Sequence, residues 1–259
     1  MYNHIQMNKN SDVILQKDDF KKHVMVSMIF LALPVLICLI VCFGILFLMR
    51  NEQKPITAKE IFNNNIHSVV EVKAYTEDVG ESFGTAEFIA DDGTLVTNAH
   101  VVTYKNLGED IQFDNISIRF CFEDDYRDVT LIKYNTDLDI AVLKLNDLNC
   151  NFKPMKLGDS NKLKNGQQVY AIGNLNNVGI SITEGIVSNS NIKVTYDEVT
   201  RNVIQCDLTI AEGNSGGALV DNNGKLIGIT AFRLKDSSGK IIYGISYCIP
   251  INTVLEYIK

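Results

Sequence analysis

The sequence predicts an all-β barrel fold preceded by one N-terminal transmembrane helix. From about residue 68 onward, short Val- and Ile-rich runs recur between Gly, Asn and Asp residues, the pattern of short antiparallel strands joined by tight turns. Ahead of them, Val24 to Met49 is a run of 26 residues without a charge. That exceeds the roughly 20 apolar residues that span a bilayer as a helix. The chain has 259 residues, which leaves about 200 for the strand-rich part. A barrel domain of that size can bury a substantial core.

In chain order, residues 1–23 are polar and read as a short cytoplasmic tail. Residues 24–49 form the span, interrupted only by Ser27, Pro34, Cys38, Cys42 and Gly44. The run is too long for the apolar core of a signal peptide, and no small-residue cleavage site follows it, so a retained anchor is expected. Lipid tolerates a proline kink at Pro34. Lys9, Lys17, Lys21 and Lys22 precede the span, and Arg50, Lys54 and Lys59 follow it, a bias that puts the N-terminus inside and the domain outside. Residues 50–59 form a linker containing Pro55, and residues 60–259 form the folded domain, with a short helix over Ile56 to Asn64.

Six strands are expected first: Val69 to Tyr75, Thr85 to Ala90, Leu95 to Thr97, Ile116 to Phe122, Val129 to Tyr134 and Ile140 to Leu145. Six more follow: Val169 to Ile172, Ile180 to Ser188, Val203 to Leu208, Ala218 to Val220, Lys225 to Phe232 and Ile241 to Ile249. Turns are signalled by Asp91-Asp92-Gly93, Asn222-Asn223-Gly224 and Asp236 to Gly239. Asn252 to Lys259 fits a closing helix.

The most informative segment is Gly213-Asn214-Ser215-Gly216-Gly217-Ala218-Leu219. Glycines around a serine let the backbone approach a reacting group and leave the hydroxyl open. They can also aim the N–H groups of Gly213 and Ser215 at one point, where an oxyanion develops in acyl transfer. A serine hydroxyl needs a base to take its proton, and the base needs an acid to fix its tautomer. His100, in Thr97-Asn98-Ala99-His100-Val101-Val102, and Asp139, at the head of Ile140 to Leu145, supply those types. The order His, Asp, Ser is a known hydrolase order, and it argues against the α/β-hydrolase elbow, which needs Ser before Asp and His. Asp137 rivals Asp139. Asp139 is preferred because it abuts the apolar strand, whereas Asp137 reads as a solvated loop carboxylate. His4, His23 and His67 lack such a frame.

Together with Ser68-Val69-Val70, Ala171-Ile172-Gly173-Asn174, Thr183 to Ser188, Gln205 to Leu219, Gly224 to Ile229 and Gly244 to Pro250, these segments make the chain resemble trypsin-like serine proteases of the HtrA (Deg) type. The resemblance runs from about Ser68 to the C-terminus. It implies two six-stranded antiparallel β-barrels with the site in the cleft between them. It implies His100 as general base, Asp139 as its orienting acid and Ser215 as nucleophile, with an oxyanion hole from the amides of Gly213 and Ser215. It also implies a pocket lined by Thr209, Ile210, Phe232 and Ser246. With apolar Ile210 there and no aspartate at the pocket base, small to medium aliphatic residues are expected before the scissile bond.

The resemblance further implies protein or peptide substrates, unfolded or exported, an extracytoplasmic domain, and no cofactor or metal; it leaves open a homo-oligomer. The chain stops after the closing helix, so a form without a PDZ domain is expected. Departures from the family are Glu87 where glycine is usual, Glu212 in place of proline or arginine, and Cys248 in place of alanine. None removes a triad member. The competing reading is a latent protease-fold binding or regulatory protein.

Composition sets further limits. A net charge of −7 without a basic block argues against nucleic-acid binding. Of six cysteines, Cys38 and Cys42 lie in the span. Cys121, Cys150, Cys206 and Cys248 allow three pairings or four buried free thiols, and the latter is favoured. Their spacing does not resemble a zinc site.

Overall fold

In the computed structural model, residues 9–50, 56–196, 198–235 and 240–259 are described. Residues 1–8 of the expected tail, 51–55 of the expected linker and the Asp236 to Gly239 turn lie outside them. The chain divides into two compact units, Met1–Lys54 and Pro55–Lys259.

The first unit contains helix α1 (Lys9–Arg50), which continues through Pro34. Its stretch Phe20–Ile45, 26 residues with a mean hydropathy of 3.0, is long and apolar enough to cross a membrane. Apolar residues surround the helix rather than forming one stripe, as suits a helix facing lipid on all sides.

The second unit opens with α2 (Ala58–Asn65), where the sequence places a short helix. Its start is fixed by a capping box. Thr57 accepts from the Glu60 amide, while the Glu60 carboxylate takes the Thr57 N–H at 2.8 Å. Two closed barrels follow. The first joins β1 (Val69–Thr76), β2 (Gly80–Phe88), β3 (Thr94–Thr97), β6 (Asn115–Arg119), β7 (Arg127–Asn135) and β8 (Ile140–Leu145) in the order β1-β2-β3-β8-β7-β6. The second joins β9 (Gln168–Asn174), β10 (Ile180–Tyr196), β11 (Val199–Cys206), β12 (Ala218–Asp221), β13 (Leu226–Lys235) and β14 (Ile241–Pro250) as β10-β11-β14-β13-β12-β9. All pairings within the barrels are antiparallel. Around each ring, closure gives every strand a neighbour on both sides.

Strand alternation explains why many runs are apolar on both faces. On β1, Val70, Val72 and Ala74 fill the first barrel with Phe88, Leu95, Ile118 and Leu143. Val69, one residue earlier, packs on the opposite side with Val96, Ile140, Tyr170, Ile172, Ala218 and Ile229. That second cluster draws on strands of both barrels. On β9, Val169 and Ala171 point into the second barrel with Leu219 and Ile227, while Tyr170 and Ile172 face the first. A strand that serves a barrel interior and an inter-barrel seam must be apolar at successive positions. Helix α4 (Ile251–Ile258) closes the chain, and Lys133 of β7 donates to the Tyr257 and Ile258 carbonyls at 2.8 and 3.2 Å.

Two features depart from the expected elements. An extra hairpin, β4 (Thr103–Asn106) with β5 (Glu109–Gln112), follows the His100 segment. Its residues are mostly polar and carry no apolar alternation. Its turn residues Leu107 and Gly108 both have positive φ, 53° and 89°, which suits a tight two-residue hairpin. The other departure is that β10 and β11 extend as an arm beyond Ser188 and before Val203, paired from Ile192↔Val203 to Tyr196↔Val199. All six cysteines are free thiols, and Cys206 and Cys248 lie buried on neighbouring strands.

Glu87 sits opposite Val69 and Val96, both seam residues, so its side chain faces the inter-barrel cluster. It is fully buried, and neither carboxylate oxygen has a hydrogen-bond partner among the described residues. Burial pushes this carboxyl well above its ordinary value of 4.5, so it folds protonated. The unfolded chain releases that proton near pH 4.5 and the folded chain only at higher pH. This group's stability contribution is therefore full below that value and is lost as pH rises toward the folded-state pKa. Glu87→Met removes a buried polar group that costs about 1–3 kcal/mol when unpaired. It is expected to raise the unfolding temperature more at about pH 8 than at about pH 5, as thermal unfolding at both values would show.

Candidate active site

His100 lies in the one-turn helix α3 (Ala99–Val102), between buried Ala99, Val101 and Val102, with its own side chain half-exposed. The buried neighbours anchor the turn, and the imidazole is left facing outward. Asp139 lies at the β7–β8 turn, 7% exposed, at φ 56°. That left-handed conformation costs a non-glycine residue about 1–3 kcal/mol and persists only where the surroundings hold it. Asn98 Nδ2 donates to the Asp139 carbonyl at 2.9 Å, and Asn135 Oδ1 accepts from the Leu138 amide at 2.8 Å. In return, Asp139 Oδ1 accepts from the His100 backbone N–H at 3.1 Å, and both carboxylate oxygens lie 2.9 Å from His100 Nδ1. This fixes the ring's orientation and leaves Nε2 as the outer nitrogen. Asp137 is exposed, whereas Asp139 is buried at the His100 ring.

Ser215 belongs to the second barrel, yet the first barrel holds it. Thr85 of β2 donates its N–H to the Ser215 carbonyl at 2.9 Å. The Thr85 hydroxyl donates to the Gly213 carbonyl at 2.7 Å and accepts from the Asn174 amide at 2.9 Å. Gly216, at φ 79°, leaves no room for a side chain, since a Cβ would meet Thr97 Oγ1 at 2.1 Å and the Thr85 carbonyl at 2.3 Å. Gly213, at φ 84°, is equally confined by the Asn174 carbonyl at 2.2 Å. The backbone orientation here is specific. The Glu212 carbonyl accepts from the Asn176 N–H at 2.7 Å, and the Gly213 carbonyl is taken by Thr85. The N–H groups of Gly213 and Ser215 donate to no protein acceptor among the described residues. In this arrangement the Ser215 hydroxyl donates to the Ala231 carbonyl at 3.2 Å.

His100, Asp139 and Ser215 line one cleft of about 430 Å³, which Ile210, Phe232, Glu212 and Arg233 also border. Of the four residues assigned to the pocket, Ile210 and Phe232 are thus in the cleft wall. Thr209 is exposed, with its carbonyl accepting from the Thr183 hydroxyl at 3.3 Å. Ser246 is fully buried and donates to the Cys206 carbonyl at 3.0 Å, away from the cleft wall. Asp207 braces the backbone, its carboxylate accepting from the Ile186 amide at 2.6 Å. Sequence reasoning missed Thr85 as the tie between the barrels, Asn176 behind the Gly213 turn, and Lys105 and Asp110 of the β4–β5 hairpin, which also line the cleft. Thr85 and Asn176 act mainly through backbone partners distant in the chain, which local patterns do not reveal. Among the described residues, no group of three or more His, Cys, Asp and Glu side chains could hold a metal ion.

Comparison with known proteins places the folded unit in a family. Residues 84–229 match the family described as "Trypsin-like peptidase domain". A probable periplasmic serine endoprotease DegP-like from Bartonella henselae is 34% identical over 182 residues, 69% of this chain and 33% of that protein. A serine protease HtrA-like from Staphylococcus aureus (strain USA300) is 31% identical over 231 residues, 81% of this chain and 28% of its own. The solved structure of the HtrA-type protease AlgW with tripeptide superposes with a TM-score of 0.67 at 30% identity, covering 78% of this chain and 62% of that one. The chain spans about a third of the length of these curated relatives. By the match over most of its folded unit, this chain belongs to the trypsin-like peptidase family, with HtrA-type serine proteases as its relatives.

Proposed function

We propose that the chain is a serine endopeptidase in which Ser215 attacks the scissile carbonyl, His100 serves as general base and Asp139 orients His100. The observation that carries this reading is the two-oxygen contact of Asp139 with His100 Nδ1, in the cleft that Ser215 also lines. With Nδ1–H committed to Asp139, Nε2 carries the lone pair that takes the Ser215 proton. Substrate entry breaks the hydroxyl's bond to the Ala231 carbonyl, and apo geometries of this kind tighten only in the substrate complex. The tetrahedral oxyanion then accepts the free N–H groups of Gly213 and Ser215, each such donor being worth about 10²–10³ in rate. The protonated His100 returns its proton to the leaving amine, and water repeats the sequence to release the acyl group from Ser215.

Ile210 and Phe232 favour aliphatic residues before the scissile bond. The substrates are unfolded or exported polypeptides. Residues 24–49 anchor the protein in a membrane, with residues 1–23 cytoplasmic and the protease domain of residues 60–259 extracytoplasmic. A latent binding protein is the competing reading, supported by the resting bond from Ser215 to Ala231.

A fluorophosphonate probe separates them. Activated Ser215 forms an Oγ–P bond, fluoride leaves and the hydroxyl proton passes to His100. Labelling of the detergent-solubilised full chain, absent in Ser215→Ala, is the expected result, with casein digestion alongside it; no labelling favours the latent protein. Protease shaving of intact cells tests topology. Loss of the domain without lysis is expected, and protection until lysis reverses the orientation.

A further inference from the structure

We propose that Arg201 is a positioning residue for Asp139, a role that rests on the triad reading above. Arg201 lies on the distal arm of β11, opposite Val194 of β10. Its guanidinium forks across two successive carbonyls of the other barrel, with Nε donating to the Asp137 carbonyl at 2.6 Å and Nη2 to the Thr136 carbonyl at 2.8 Å. With Leu138, these residues make up the turn leading into Asp139, whose backbone is held at φ 56°. The carbonyls of Thr136, Asp137 and Asp139 are thus each taken by a side chain, Arg201 for the first two and Asn98 for the third. Thr136 and Asp137 are solvent-accessible, so their carbonyls would otherwise be solvated by water that imposes no direction. A rigid planar fork can set the orientation of two adjacent peptide groups, which a single ammonium cannot.

The consequence reaches across the molecule. His100 and Asp139 belong to the first barrel and Ser215 to the second. Through Arg201, the arm of the second barrel helps set the geometry of the His–Asp pair in the first. Release of the fork leaves the strained turn at Asp139 held from fewer sides. The carboxylate then moves relative to Nδ1, and Nε2 becomes a weaker base. Arg201 also lines the substrate cleft, so direct substrate binding is the role to be told apart.

The test uses the full chain in detergent with a small organophosphorus fluoridate, compared with a peptide substrate. Arg201→Met is expected to slow phosphonylation of Ser215 by about 10-fold to 10²-fold, the scale of a misplaced catalytic group. The peptide kcat should fall in parallel while KM changes little. The acid limb of the pH–rate profile should move to lower pH, because a carboxylate held less closely favours the imidazolium less. Arg201→Lys should recover part of the rate, and it carries the same measurements if the Met variant fails to fold. Unchanged phosphonylation with a raised peptide KM overturns the proposal in favour of a substrate contact. Equal loss of rate and unfolding temperature, with an unmoved acid limb, overturns it in favour of a structural role.

A proton NMR measurement separates this proposal from the triad reading. The downfield ring N–H signal of His100, assigned by its loss in His100→Gln, should weaken in Arg201→Met whether or not the wild type labels. A wild type that shows the signal but does not label sinks the triad reading alone. A signal unchanged in Arg201→Met sinks the positioning role.

Discussion

Ser215→Ala is expected to eliminate fluorophosphonate labelling and to reduce peptide hydrolysis to the residual ~10³–10⁴ over water that binding and an oxyanion hole supply. The loss has one cause, since no other oxygen in the Gly213–Gly217 turn can form the acyl ester. The variant is otherwise conservative. The side chain gives up one hydrogen bond, to the Ala231 carbonyl at 3.2 Å, at a cost of about 1 kcal/mol. The Thr85 bond to the Ser215 carbonyl and the close contacts of Gly216 involve backbone and remain. A thermal unfolding curve near that of the wild type, beside an inactive site, is the expected pair of results. Hydrolysis retained in Ser215→Ala would move the nucleophile elsewhere. His100→Ala should match it, because the triad members act as a unit and their losses do not add.

Asp139→Asn should cost about 10⁴ in kcat. The amide that replaces one carboxylate oxygen donates rather than accepts, which turns the His100 tautomer so that Nε2 carries the hydrogen and cannot take the serine proton. The local backbone makes this a clean substitution. Asp139 sits at φ 56°, and Asn is among the few side chains that adopt that region readily, so the turn is retained. The buried position also tolerates a neutral group of the same shape. Asp137→Asn is expected to be mild, since that side chain is exposed and its tie to the site is the carbonyl that Arg201 binds, which the substitution keeps. Measuring kcat for both variants decides between the two carboxylates, and a severe Asp137→Asn with a mild Asp139→Asn would transfer the orienting role.

Much of the fold was legible in the chain. Each of the twelve expected strands overlaps one of the barrel strands, and the short helices before and after the barrels fall within a few residues of their expected places. Such signals are local: alternating or continuous apolar runs, a Thr-x-x-Glu cap at Thr57, and Gly93 at φ 81° after two aspartates. The β4–β5 hairpin escaped notice because its pairing needs no apolar face. The arm of β10–β11 does carry an alternation, Ile192-Lys193-Val194-Thr195-Tyr196, but the polar Asn189-Ser190-Asn191 with its register shifts separates it from the apolar run ending at Ser188. Glu87 could be marked as a departure, but its unpaired burial in the seam became evident only when both barrels were in place.

The sequence by itself determined the residue types of a hydrolytic site, their order, the all-β character and the apolar helix at the N-terminus, because each is written in residues a few positions apart. Tertiary structure alone decided how those residues meet. Thr85 reaches Gly213 across 128 positions and Arg201 reaches Asp137 across 64, and neither contact follows a pattern within its own segment. Their geometry depends on the closure of two sheets and on the seam between them, where backbone carbonyls and amides, identical in every residue, find partners that side-chain patterns do not encode.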